Sequence, residues 1–374
     1  MKSFSCSELS IQCWNIHGLF HNINGFSYNK LESPHVVEQI ENKKIFCFIE
    51  THHTADDIDK IQILGFKCYQ ACRKKLKFGR KSGGIAVYVH NSLLAGVSKV
   101  ATVGSESILL KLSKGFFSVK KDVVLSFTYC VPANSSFQSR TQFDAFGDFE
   151  QKLGSCGSEV DYLCLGDFNS RTSTDLDYIQ SEDNTDIPVP TEIYETDTVA
   201  TYPRGNMDKV TNSYGDKLIA LCKSVPLRIC NGRKLGDILG SYTCHTWNGQ
   251  STVDYCLTSP QLYKNITTFQ VGKILPTLSD HCPIIATLKT NFISNINGLE
   301  SYKFISKPMK VKWDKEISQK FENVIQTESS KQLMKDFLKI DIPNDQSSID
   351  SATNFLSDFL VKSAEKAGDK ENKI

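Results

Sequence analysis

An α/β fold is expected for this chain on three observations. Short segments rich in Ile, Val, Phe, Tyr and Thr, bounded by Gly, Asn, Ser or Asp, recur through the first 290 residues. Stretches of helical periodicity are interleaved with them, which predicts α/β layers with helices covering sheet faces. Several of the apolar runs end on an acid or an amide, so polar residues are expected where strands meet their loops.

In chain order, the first strand covers 9–16 and ends on Trp14-Asn15. A helical period follows over 30–42, and the unbroken run Ile45-Phe46-Cys47-Phe48-Ile49 predicts a strand over 45–49 that stops at Glu50. Strands are expected at 66–71, at 84–89 (Gly84-Ile85-Ala86-Val87-Tyr88-Val89), at 106–112 and at 123–129, which runs into Tyr129. After a helix over 140–153, Tyr162-Leu163-Cys164-Leu165-Gly166 gives a strand over 161–166 that stops at Asp167. A helix over 212–223 places Leu218, Leu221 and Cys222 on one face behind the cap Asn212-Ser213. Strands at 241–246, 252–258 and 282–288 complete the set, the last preceded by Ser279-Asp280-His281.

Two regions depart from this pattern. Residues 172–203 hold eight acidic residues, no basic ones, and Pro188, Pro190 and Pro203, and read as an exposed loop, either a solvated insertion or a gate. Beyond about residue 290 all cysteines cease, and 291–374 carries 13 basic and 13 acidic residues. Ile317, Phe321 and Val324, then Phe355 and Phe359, suggest amphipathic helices separated by Pro343. The expected organisation is a catalytic domain over 1–290 and a helical connector or tail over 291–374.

Composition restricts the function classes. The chain has 374 residues with 43 Lys and Arg against 42 Asp and Glu, so bulk charge names no partner and a nucleic-acid surface must be a local patch. No apolar run is long enough to span a bilayer, and Met1 to Ser10 lacks the form of a signal peptide, so no membrane partner is expected. The 13 cysteines include several inside apolar runs, and are read as reduced thiols of an intracellular protein. Cys68 and Cys72, with His52 and His53, are a weak zinc candidate without a second matching pair. The sequons at Asn134 and Asn265 carry little weight without a secretory route.

The chemistry lies in the strand-end residues. A lone carboxylate at a strand end is ordinarily a cap or a turn residue. Several converging without a cation would each cost several kcal/mol, on the order of the desolvation and repulsion of buried like charges. A hard divalent ion bound by oxygens removes that cost. Taken in order, Trp14-Asn15-Ile16-His17-Gly18, Glu50, Tyr129, Gly166-Asp167-Phe168-Asn169, Val253-Asp254-Tyr255 and Ser279-Asp280-His281 resemble the endonuclease/exonuclease/phosphatase superfamily over about residues 8–290. Thr51-His52-His53, the Lys81–Val89 segment, Cys230-Asn231-Gly232-Arg233, Tyr242-Thr243-Cys244 and Lys312-Trp313 resemble the endonuclease domain of LINE-type (non-LTR) retrotransposons and the connector that follows it. No Tyr-x-Asp-Asp string occurs, so the chain resembles the endonuclease portion alone.

The resemblance implies a two-sheet, four-layer α/β sandwich of the deoxyribonuclease kind with a C-terminal helical tail. It implies Mg²⁺, with Mn²⁺ as the alternative, held by Glu50, Asn15 and Asp280. His281 oriented by Asp254 would act on the phosphoryl group, Asp167 would position or deprotonate water, and Asn169 and Tyr129 would hold transition-state oxygens. The implied reaction nicks one DNA strand and leaves a 3′-hydroxyl, as in target-primed retrotransposition. His17 stands where repair endonucleases carry an acid, which argues for a single metal and against dedicated abasic-site repair.

DNA is the expected partner. Arg73, Lys74, Lys75, Lys77, Arg80 and Lys81 put six basic residues in nine, a phosphate-tracking edge or a solvated charge run. Trp247, just before the Asp254 strand, is read as a stacking or groove contact or as a core residue. The isolated domain is expected to be a monomer, acting in the nucleus if on chromosomal DNA. The rival readings are a phosphatase or phosphodiesterase for a small phosphorylated substrate, and a catalytically dead, domesticated DNA-binding module.

Overall fold

The computed structural model describes residues 4–23, 26–73, 82–133, 135, 137, 144–180, 198–294, 314–339 and 346–368. The chain divides into two compact units, Met1–Ile305 and Ser306–Ile374.

The first unit begins with β1 (Phe4–Asn15), the hairpin β2 (Phe20–Ile23) and β3 (Phe26–Asn29), helix α1 (Pro34–Ile40) and β4 (Ile45–Ile49). Next come β5 (Phe66–Ala71), β6 (Ile85–His90), β7 (Val97–Val103), β8 (Ser107–Leu112), the short α2 (Lys114–Phe117) and β9 (Asp122–Tyr129). Helix α3 (Ala145–Gly154), β10 (Val160–Asp167), α4 (Ser213–Ser224), β11 (Arg228–Ile229), β12 (Cys244–Thr246) and β13 (Gly249–Ser251) follow. The unit closes with β14 (Asp254–Thr258), the short α5 (Pro260–Tyr263), β15 (Ile266–Val271) and β16 (Ile284–Ser294).

These strands make two six-stranded sheets, ordered β15-β16-β1-β4-β6-β5 and β11-β14-β10-β9-β8-β7. Each is mixed: β1 and β4 run parallel in one, β9 and β10 in the other, and their remaining pairs are antiparallel. The inner faces pack together, with Ile11, Ile45, Cys47 and Val87 of one sheet in a single cluster with Leu110, Leu125, Phe127 and Leu165 of the other. Phe149 and Leu153 of α3 and Leu218 and Cys222 of α4 cover the outer face of the second sheet. Val36 and Ile40 of α1, with Ile61, cover Trp14, Phe46, Phe48 and Tyr88 on the first. The architecture is therefore the expected four-layer α/β sandwich. Ile45–Ile49 is buried at every position because its two faces meet different layers, which is why the run shows no polar alternation.

Several expected boundaries move for identifiable reasons. The helix expected from residue 30 starts at Pro34, after a separate 3-10 turn over Lys30–Glu32; proline favours a first helical position. The cap of α4 is as expected, with the Asn212 side chain accepting from the Gly215 backbone N–H. The strands β7 and β15, which were not expected, lie at sheet edges, where neither has the continuous burial of an interior strand. The 172–203 stretch is not simply an exposed loop. Thr172 and Asp177 are fully buried, and Asp177 pairs with Arg233 at 2.6 Å. Residues 181–197 lie outside the described residues.

The second unit contains α6 (Lys315–Ile325), α7 (Glu328–Phe337) and α8 (Gln346–Gly368), with Phe337 stacked on Phe355 at 4.6 Å. Pro343 and the Lys312-Trp313 segment lie outside the described residues. No helix among the described residues is long and apolar enough to cross a membrane. The twelve cysteines from Cys13 to Cys282 are free.

Candidate active site

The sheet registers bring the strand-end residues to one mouth. Asn15 pairs with Ile49 across the parallel β1–β4 ladder, so Asn15 and Glu50 leave the first sheet side by side. On the second sheet Asp167 lies opposite both Tyr129 and Asp254, which sets three polar residues in one row. Asn15 joins the rows: its Nδ2 donates to Glu50 Oε2 at 3.1 Å and to Asp167 Oδ2 at 3.0 Å. The Tyr129 hydroxyl donates to Glu50 Oε1 at 2.5 Å.

The loops here hold strained backbone. His17, Glu50, His52 and Asn169 all have φ near +50° (49°, 52°, 55° and 49°), a region that L-residues with side chains rarely adopt. Backbone bonds hold the turn after Glu50: Gly18 donates to Glu50 O at 2.7 Å, and Thr51 donates to Gly84 O at 3.1 Å. Gly84, at φ +92°, has no room for a side chain, since a Cβ would fall 2.6 Å from Thr51 Oγ1.

A histidine–carboxylate pair completes the mouth. His281 Nδ1 lies 2.9 Å from Asp254 Oδ2, and its Nε2 lies 4.0 Å from Asp167 Oδ2. Ser279 Oγ donates to Asn15 O at 2.6 Å and accepts from the His281 N–H at 3.0 Å, while Trp14 Nε1 donates to His281 O at 2.8 Å. Asn169 donates its backbone N–H to Asp167 Oδ1 at 2.8 Å and its side-chain Nδ2 to Cys130 O at 2.8 Å. Asp280 Oδ1 lies 3.1 Å from His17 Nδ1. The His17 ring is 6.1 Å from that of His52, whose Nε2 is 3.9 Å from Glu50 Oε1.

Burial and neighbours separate the acids into two kinds. Burial alone would raise the Glu50 pKa, but the nearby His52 ring and the hydrogen bonds from Tyr129 and Asn15 outweigh it and hold the carboxylate at about 2. The His17 hydrogen bond likewise holds Asp280 at about 2. Asp167 goes the other way: burial and then the Asp254 charge push it up to about 8. His281 is buried, which disfavours its charge, yet contact with Asp254 raises its pKa well above the ordinary value. The pocket thus offers permanently charged carboxylates beside a proton-accepting one.

The donor set fits a hard cation. Glu50 and Asp280 offer carboxylate oxygens to such an ion, whereas Asn15 turns its Nδ2 to Glu50 and its Oδ1 accepts from the His17 backbone N–H at 3.1 Å. Between Asp280 and Glu50 stand the two imidazoles, His17 beside Asp280 and His52 beside Glu50. Among the described residues, Asp167, Asp254 and His281 form one group with ligand atoms close enough for a metal, and Cys244, Asp280 and His281 form another.

The expected substrate surface is only partly described. Lys74, Lys75, Lys77, Arg80 and Lys81 lie outside the described residues. Arg73 turns inward: its Nε donates to Glu106 Oε1 at 2.8 Å, and its guanidinium stacks 3.6 Å from the Phe137 ring centroid. Trp247 sits in the turn between β12 and β13 and is 93% exposed, which removes the core-packing reading. The base of that hairpin is tied to the site, because the His245 N–H donates to Asp280 O at 2.7 Å. The roles of Ser279 in bracing two loops and of His17 as the partner of Asp280 were not read from the sequence. Their spacing carries no signal for contacts 264 and 263 residues apart.

The mouth thus draws acids, an amide and an Asp–His pair from both sheets of a four-layer sandwich. The chain belongs to the Endonuclease/Exonuclease/phosphatase family, whose sequence profile matches residues 14–281. Among solved structures it is similar to the AP endonuclease LMAP from Leishmania major, at 13% identity and a TM-score of 0.51, covering 76% of this chain and 88% of that one. It is also similar to the 3′-5′ exonuclease NExo from Neisseria meningitidis, at 16% identity and a TM-score of 0.46, covering 75% of this chain and 100% of that one. No curated protein matches the chain by sequence.

Proposed function

We propose that the protein is a Mg²⁺-dependent DNA endonuclease that hydrolyses one phosphodiester bond, nicks one strand and leaves a 3′-hydroxyl. The observation that carries this reading is the single hydrogen-bonded set Glu50–Asn15–Asp167 beside Asp254–His281, assembled from the ends of strands in both sheets. Within the family, the LINE-type strings of the sequence favour the endonuclease portion of a non-LTR retrotransposon, for which the 3′-hydroxyl would prime reverse transcription.

The chain's own residues divide the work. A bound divalent ion, Mg²⁺ or Mn²⁺, supplies polarisation of a non-bridging phosphate oxygen and charge compensation at the leaving oxygen. Glu50, fixed by Tyr129 and Asn15 with His52 beside it, would hold that ion together with Asp280, which His17 keeps charged. Asp167 would take the proton of the attacking water as its oxygen bonds to phosphorus, for which a carboxylate pushed up to about 8 is a better base than an exposed one, and the 3′-oxygen released as its bond to phosphorus breaks takes a proton from solvent to become the 3′-hydroxyl. The Asn169 backbone N–H fixes Asp167 Oδ1, and its side chain is held at the pocket by Cys130 O. His281, with Nδ1 fixed by Asp254, presents Nε2 as a donor to the phosphoryl oxygens, where charge grows in the transition state.

Trp247 would meet the duplex by stacking or in a groove, since its ring projects from a hairpin whose base is bonded to Asp280. The basic run from Arg73 to Lys81 would add salt-dependent affinity through its lysines and Arg80, while Arg73 braces Glu106. The catalytic domain would act as a monomer on chromosomal DNA, in the nucleus. A labelled duplex oligonucleotide tests the product: a polymerase should extend the nicked strand directly. Products that need phosphatase treatment before extension would refute the 3′-hydroxyl, and phosphate release from inositol phosphates without nicking would favour the small-substrate reading.

A further inference from the structure

We infer that Lys30 is a positioning residue for this site, its ammonium group fastening the loop that follows Asn15 to the loop that carries Asp280 and His281. The inference rests on the reading of that pocket as hydrolytic. Lys30 is 1% exposed and opens the 3-10 turn after β3. Its Nζ donates to Ile16 O at 2.6 Å, to His17 O at 3.3 Å, and in a close bond to Leu278 O. An ammonium has three donors and no acceptor, so three carbonyls use its full capacity. A lysine is seldom fully buried unless its charge is met in this way.

The three carbonyls belong to two loops. Ile16 and His17 directly follow Asn15, and His17 is the left-handed residue (φ 49°) that pairs with Asp280. Leu278 stands two residues before Asp280. Lys30 is itself anchored, because its backbone N–H donates to Leu19 O at 2.8 Å. Two neutral bonds cross the same seam, Ser279 to Asn15 O and Trp14 to His281 O, but Lys30 supplies its charge and bonds both sides at once. Burial draws its pKa down to about 8, which leaves the group charged at neutral pH. Its place is behind the catalytic side chains, and it sets the separation between Asn15 and Asp280 from there.

The test uses the full chain with Lys30→Met, which keeps the stem and removes the charge, and Lys30→Ala, which leaves room for an added amine. Amide hydrogen exchange in Lys30→Met should quicken at residues 16–19 and 278–282 and stay unchanged in β8 to β10. Mn²⁺ binding, read by electron paramagnetic resonance, should weaken about tenfold. In the nicking assay kcat should fall by about ten- to a hundredfold while duplex affinity measured without metal stays within about twofold. Propylammonium should restore the Lys30→Ala activity, and tetramethylammonium at equal ionic strength should not. Unchanged loop exchange with wild-type Mn²⁺ binding would overturn the inference. So would exchange quickened throughout the sheets with no rescue by propylammonium, the mark of a merely structural lysine. If the wild-type chain does not cut DNA, the hydrolytic reading fails, while the exchange and Mn²⁺ results still decide the role of Lys30.

Discussion

Replacing Asp167 by Asn should stabilise the metal-free protein while abolishing hydrolysis. Asp167 is buried beside Asp254, and its pKa is pushed up from 3.8 to about 8 by burial and then by that charge. Holding the ionised form in the fold therefore costs up to about 5 kcal/mol at pH 8. The Asn variant removes this charge but loses the bond accepted from Asn15 Nδ2, worth roughly 1–3 kcal/mol. A net gain of about 2–4 kcal/mol corresponds to a melting point higher by roughly 5 °C. Since the native pKa lies above that of an unfolded aspartate, the native protein binds the extra proton between pH 4 and about 8, and its stability falls as pH rises through that window. The variant lacks this slope, so the difference should grow from acid to pH 8 in melts without metal. Saturating Mg²⁺ should narrow it by stabilising only the wild type. Parallel pH curves, or a variant less stable than wild type at pH 8, would refute the reasoning.

Tyr129→Phe removes the hydrogen bond to Glu50 and lets that carboxylate rise from about 2 toward its ordinary value. The Mg²⁺ concentration for half-maximal activity should rise about tenfold in a metal titration, and the metal-free melting point should fall by about 2–4 °C at neutral pH. Trp247→Ala should leave stability within about 0.5 kcal/mol, because the ring is 93% exposed, yet weaken duplex binding or alter the cleavage pattern on a footprinting gel. Gly84→Ala places a methyl group against Thr51 at a backbone φ of +92°, so it should displace the turn after Glu50. Its activity should fall by more than its circular-dichroism melt accounts for.

Much of the fold was legible because it is local. The run Ile45–Ile49 announces a doubly covered strand, and Asn212 caps α4 three residues from its partner. The strand-end acids were legible for the same reason, since a strand that stops at Asp167 or Glu50 sets that residue where the strand meets its loop. Their contacts were not legible. Asn15 bridges residues 35 and 152 positions away, and only the sheet order makes them neighbours. Arg73 looked like part of a basic edge, but its partner Glu106 lies 33 residues on and takes it out of solvent. Asp177 sat in a stretch with the composition of an exposed loop, yet an arginine 56 residues later makes it a buried anchor. Lys30 gives no sequence signal, because its three partners are backbone carbonyls.

The central claim is that the mouth shared by the two sheets hydrolyses DNA with a divalent metal and His281. It is tested most directly by incubating supercoiled plasmid with the protein and Mg²⁺, with and without chelator, beside His281→Ala. The account predicts nicked circles from the wild type only when metal is present, and a rate lowered by about 10²–10⁴-fold in the variant. Nicking that survives the chelator, or that His281→Ala performs at the wild-type rate, would contradict it.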